Sequence, residues 1–285
     1  MNTRQLSQKP VRPSVIRVNN TQRKRVVSSI LLFLIVFGLW QTYYLIHVFI
    51  PEIQVSYTYA LYFAIYLASL AILIFLVKLR KSTLSEHGFK EPANTNQCLI
   101  LSVSSIIFYL TVTLLPGFIW GFSSPPYPQT FFYFVFSILN AIIVSLTTES
   151  IFRGYIFKNI IGKHGFFASL YASSIMFSLY QIPIPTLAAM SPDRIITYIF
   201  TDIMPIFAAG LFLGFFFYKT GWSLLGPTIF RTGILLYLFL PPVMATPPWW
   251  MKLTSEVAAY ACLIILLEAT VKEPRFLRRK YGLES

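Results

Sequence analysis

Apolar blocks of about 20 residues alternate with short polar connections along most of this chain. No other feature of the sequence constrains the fold as strongly. Each block is long enough to cross the hydrocarbon core of a bilayer as a helix. Charge content agrees: 12% of the 285 residues are charged, where a soluble domain carries about 25%. Mean hydropathy is +0.65. Length alone would allow two soluble domains. The pattern instead predicts one all-α polytopic bundle with eight spans, at residues 26–50, 57–77, 98–119, 131–151, 165–182, 195–218, 222–240 and 257–271. The fourth is expected to run on as helix to about 160, and the last is short.

Charge orients these spans. Arg4, Lys9, Arg12, Arg17, Arg23, Lys24 and Arg25 precede the first. Lys78, Arg80, Lys81 and Lys90 follow the second, Lys158 and Lys163 the fourth, and Lys219 the sixth. Lys272, Arg275, Arg278, Arg279 and Lys280 follow the last, whereas the opposite connections hold only Arg194 and Lys252. The positive-inside rule therefore places both termini in the cytoplasm. Residues 1–25 form a disordered basic arm, 26–271 the bundle and 272–285 a basic tail. The net charge of +13 is thereby explained by topology, and no nucleic-acid partner is expected. The arm is too long and its apolar run too extended for a cleavable signal. The outer segments "GFSSPPYPQT" and "LPPVMATPPWW" are expected to be stiff, non-helical and interfacial. Cys98 and Cys262 sit in apolar stretches as small buried residues, not as a disulfide or a metal pair.

The stretch "TTESIFRG" interrupts this pattern. Glu149 and Arg153 are four apart and share a helix face, and ionisable groups within a span are functional candidates. The fourth and fifth spans form a hairpin about "IGKHGF", whose midpoint places Glu149 level with Gln181. The seventh span brings in Arg231. These four are the main polar side chains able to share one interior pocket.

"TTESIFRGYIF", "FFASLYASSIMFSLYQIP" and "GLFLGFFFYKTGWSLLGPTIFRTGILL" together resemble the core of the CPBP family, the CAAX prenyl endopeptidases and bacteriocin-processing intramembrane proteases, over about residues 130–240. That family carries a Glu-Glu pair followed by three residues and Arg, then Phe with His four residues on, then His with Asn or Asp four residues on. Glu149, Arg153, Gly154 and Phe177 match. Thr148 stands at the first glutamate, Gln181 at the second motif's His, Arg231 at the third motif's His and Leu235 at its Asn. No histidine occurs in residues 165–285.

The resemblance implies an endopeptidase that uses glutamate and histidine, with zinc as a possible metal. The residues present argue otherwise. Thr148 and Gln181 cannot change protonation near neutral pH, as a general base must. A catalytic zinc takes three protein ligands, and only Glu149 is available, so no metal or other cofactor is expected. Arg231 adds a permanent positive charge, and with Arg153 could neutralise Glu149 from two sides. Three readings stay open. One is a remodelled endopeptidase in which Glu149 holds water, Gln181 orients it and Arg231 stabilises an oxyanion. Another is a purely structural ion-pair network. The favoured one is an inactive relative that binds a membrane protein or a membrane-anchored peptide, in a plasma or an internal membrane. A transporter is disfavoured by the lack of an inverted repeat. Asp202, Glu256 and Glu268 are read as structural, Glu268 pairing with Lys272. Gly210 and Gly214 make a small-residue packing face.

Overall fold

The computed structural model describes residues 15–50, 55–120, 122–123, 131–239, 244–245 and 248–271. The helices are α1 (Val15–Phe49), α2 (Val55–Leu79), α3 (Thr95–Trp120), α4 (Phe131–Glu149), α5 (Lys158–Tyr180), two short helices α6 (Ile184–Leu187) and α7 (Pro192–Tyr198), α8 (Met204–Lys219), α9 (Leu225–Phe239) and α10 (Trp249–Thr270). A 3₁₀ turn, Ser85–His87, lies between α2 and α3. Two π-helical segments, Ser150–Phe157 and Ile199–Ile203, join α4 to α5 and α7 to α8. Strands β1 (Phe122–Ser123) and β2 (Met244–Ala245) form a two-residue antiparallel ladder. The rest of both proline-rich outer segments up to Pro247, the first 14 residues and the basic tail lie outside the described residues.

Among the described residues, six helical stretches are long and apolar enough to cross a membrane: Gln22–Phe49, Tyr57–Leu79, Thr95–Pro116, Phe134–Tyr180, Pro192–Lys219 and Trp249–Thr270. The fourth of these holds two expected spans, because the chain bends at Gly165, which has φ 77° and ψ 178°. A positive φ of that kind costs glycine nothing and other residues a steric penalty. Contacts between Phe157 and Phe166, and between Phe152 and both Phe177 and Tyr180, show the chain returning antiparallel to itself.

Element ends differ from the expected ones at several places. α1 reaches back into the basic arm as far as Val15. α9 begins at Leu225 rather than 222, because Gly221 and Trp222 are both left-handed (φ 79° and 67°) and end any helix there. α10 begins at Trp249 rather than 257, directly after the extended Pro248. The polar stretch "MKLTSE" lowers hydropathy without breaking the helix.

Helix packing runs in a closed circuit: α1 against α5, α5 against α8, α8 against α10, α10 against α3, α3 against α9, α9 against α4, α4 against α2 and α2 against α1. Glycines set the α5–α8 approach. A Cβ at Gly210 would sit 2.9 Å from Ser174 Cβ, and one at Gly214 would strike Leu170, so the small-residue face packs closely as expected. Aromatic side chains fill much of the core. One cluster gathers Trp40, Tyr66, Phe152, Phe177 and Tyr180, another Tyr109, Phe212, Phe230 and Tyr260. Glu268 pairs with the buried Lys219 at 2.7 Å, tying α8 to the end of α10. Lys272, its expected partner, lies outside the described residues.

Candidate functional site

α4, α5 and α9 bring the sequence-predicted residues together. Glu149 is the last residue of α4, and Arg153 lies in the π segment after it. Their side chains are fully buried, with Arg153 Nη1 3.3 Å from Glu149 Oε1. Arg231 of α9 approaches the same oxygen, its Nη1 3.7 Å away, with 12% of its side chain exposed. Both guanidiniums lie over the Phe177 ring, the Cζ atoms 4.3 Å (Arg153) and 4.4 Å (Arg231) from its centroid. Residues 153 and 177 are equidistant from Gly165, so this contact follows from the hairpin. Arg153 Nη2 also donates to the Gly210 carbonyl of α8 at 3.2 Å, which gives that glycine a polar role beyond packing.

The motif positions separate into two sets. Thr148 is buried, and its hydroxyl is turned back on its own helix, 2.6 Å from the Val144 carbonyl oxygen and 3.2 Å from that of Ser145. Thr148, Glu149 and Arg153 therefore all lie in the packed interior. Phe177, Gln181, Arg231 and Leu235 instead line a cavity of about 400 Å³, within the usual range for ligand pockets. Thr148, Glu149 and Arg153 are not among its lining residues.

Gly154, the residue after Arg153, is required by close approach: a Cβ there would collide with the carbonyl oxygen of His87. The His87 Nδ1–H donates to the Gly154 carbonyl at 3.2 Å, since a carbonyl can only accept. Burial pushes this imidazole below its ordinary pKa, against the opposing effect of that hydrogen bond. The connection between α2 and α3 is thus clamped onto the π segment that carries Arg153. Gln41 of α1 makes a second clamp: its Nε2 donates to the Ile182 carbonyl at 2.7 Å, and its Oε1 accepts from the Ile184 N–H at 3.0 Å. Both bonds fix the chain where it leaves α5 beside Gln181. Neither His87 nor Gln41 lies in a motif.

The same cavity is also lined by charged residues outside the motifs. Asp202, in the second π segment, pairs with Lys252 of α10 at 3.4 Å and accepts a hydrogen bond from the Thr201 hydroxyl at 2.6 Å. Glu256, one turn after Lys252, lines the same cavity, as do Ser255 and Tyr260. Of the three acids read as structural, Asp202 and Glu256 thus face the candidate site. Both π segments carry a site charge, consistent with the tendency of such bulges to occur at functional sites.

The donor set does not suit zinc. Among the described residues no three His, Cys, Asp or Glu side chains come together to hold a metal. Glu149 Oε1 already faces two guanidiniums, whose charge would repel a dication.

Residues 128–236 match the family model Rce1-like, described as type II CAAX prenyl endopeptidase Rce1-like. The resemblance carried by the three motif stretches is borne out over that part of the chain. No curated protein matches the chain. The family match and the six apolar helical stretches identify an integral, multi-pass membrane protein.

Proposed function

We propose that this protein is a binding member of the CAAX-endopeptidase fold that does not hydrolyse peptides. One observation carries the reading. The matched acid, Glu149, is fully buried behind two guanidiniums and does not line the cavity that a substrate would enter. A hydrolytic water needs a base that contacts it and can take its proton. The groups that do line the cavity at the motif positions are Gln181, Arg231 and Leu235. An amide, a guanidinium and an alkyl chain cannot fill that role near neutral pH. Arg153, Phe177 and Arg231 together hold the scaffold in register around Glu149, which supports retention of the fold without its chemistry. The partner class that suits a partly polar cavity in a membrane domain is a membrane protein segment, a membrane-anchored peptide or a lipid.

The test is proteolysis by the purified protein in lipid nanodiscs, with a panel of membrane-anchored peptides and prenylated CAAX peptides as substrates. No cleavage above that of Glu149→Ala is expected, and zinc analysis should find well under one ion per chain. Cleavage by the parent that disappears in Glu149→Ala would establish the remodelled endopeptidase instead.

A further inference from the structure

The charges around Phe177 do not cancel. Arg153 and Arg231 share one carboxylate, Glu149. Arg153 has the Gly210 carbonyl as a further partner. Arg231 pairs with Glu149 alone among the described residues, and its Nε is buried without a hydrogen bond. The cluster therefore carries one positive charge in excess, inside a membrane domain where an uncompensated charge is costly. That excess sits on the guanidinium that faces the cavity.

The acids sharing the cavity do not neutralise it. Asp202 is engaged by Lys252, and those side chains are 39% and 44% exposed, against 12% for Arg231. Glu256 lines the same cavity, and no ion pair joins it to Arg231 among the described residues. Much of the remaining wall is apolar, including Tyr109, Ile206, Leu213 and Ile234. A small hydrophilic anion would have to give up its water to those walls. A single-chain amphiphile would not. Its hydrocarbon loses little on moving from lipid tails to apolar walls, so the pairing of its head with Arg231 decides its affinity.

We infer that the cavity binds a fatty acid, with its carboxylate on Arg231 and its chain along the walls formed by α3, α8 and α9. This rests on the proposed reading that the cavity binds rather than cuts. The carboxylate would complete the ion cluster, giving two guanidiniums two anions.

The experiment is equilibrium binding of labelled oleate to the full chain in nanodiscs, with oleyl alcohol and inorganic phosphate as competitors. Oleate should bind with one site per chain, and oleyl alcohol should compete at least tenfold more weakly. Arg231→Gln should weaken oleate at least tenfold, and Arg231→Lys less. Because Arg231→Gln also removes a partner of Glu149, Ile234→Trp serves as a second variant, which fills the cavity and leaves the ion cluster in place. It too should lose oleate. Equal competition by the alcohol, displacement by phosphate at equal concentration, or full oleate binding by Ile234→Trp would each overturn the inference. Failure of oleate to bind, with no proteolysis detected, overturns the inference and leaves the proposed function standing. Glu149-dependent proteolysis overturns that function whatever oleate does.

Discussion

On the sealed side of Phe177, Glu149 and Arg153 are fully buried and bonded to each other, Arg153 also donates to the Gly210 carbonyl, and the neighbouring Thr148 hydroxyl is spent on its own helix. On the open side, Gln181, Arg231 and Leu235 line a cavity that also holds Asp202, Lys252 and Glu256. On the proposed motif assignment, the residues that match the family lie mostly on the first side, and the replaced ones mostly on the second. Residues that hold helices in register can be kept while the groups facing a ligand change. The contrast separates what keeps the fold from what sets its chemistry.

The sharpest way to break this comparison is to remove one guanidinium at a time. Arg153→Met leaves Glu149 with the longer Arg231 contact alone and should destabilise the protein by about 3–5 kcal/mol, as loss of one member of a buried pair does. Arg231→Met should cost clearly less, because its side chain is partly exposed and its contact with Glu149 longer. Thermal unfolding of both variants in the same detergent decides it, and equal losses would abolish the distinction between the two sides.

A smaller effect tests the clamp behind the sealed side. Gly154→Ala forces the π segment away from the His87 carbonyl, an overpacking of about 1–3 kcal/mol. If the variant unfolds at the parent temperature, the clamp does not hold Arg153 in place.

The smallest effect is one of pH. His87 has a depressed pKa in the folded protein, so the unfolded chain binds a proton first as pH falls. Its contribution should be constant above the ordinary histidine value, about 6.5, and stability should decline as pH drops below it. His87→Gln should flatten that slope between about pH 7 and 5, measured as unfolding temperature against pH.

Much of this arrangement was legible in the chain. Hydropathy located the helical bodies, and "IGKHGF" located the hairpin. The equal distances of 153 and 177 from Gly165 then placed Arg153 against Phe177. The residues proposed as motif replacements, Thr148, Gln181, Arg231 and Leu235, are read directly from the chain. Other parts were not. "MKLTSE" reads as a connection because Lys252 and Glu256 lower its hydropathy, yet those charges are tolerated in α10 because they face a cavity instead of lipid. The two π segments have no sequence signature, since each is a shift of hydrogen-bond register imposed by packing. Gln41 and His87 lie far from any motif, and their roles exist only where α1 and the 85–87 turn meet the core.

The sequence by itself determined a multi-helix membrane protein with a stretch that resembles the CAAX endopeptidases, because apolar length and local motif residues are properties of contiguous chain. Only the tertiary structure decided that Glu149 faces protein and Arg231 faces the cavity. Both are charged residues within apolar helices, and their sequence gives no hint of the difference. Which one can meet a ligand depends on side-chain packing from α5, α8 and α9 around Phe177, and that packing brings together residues more than 50 positions apart.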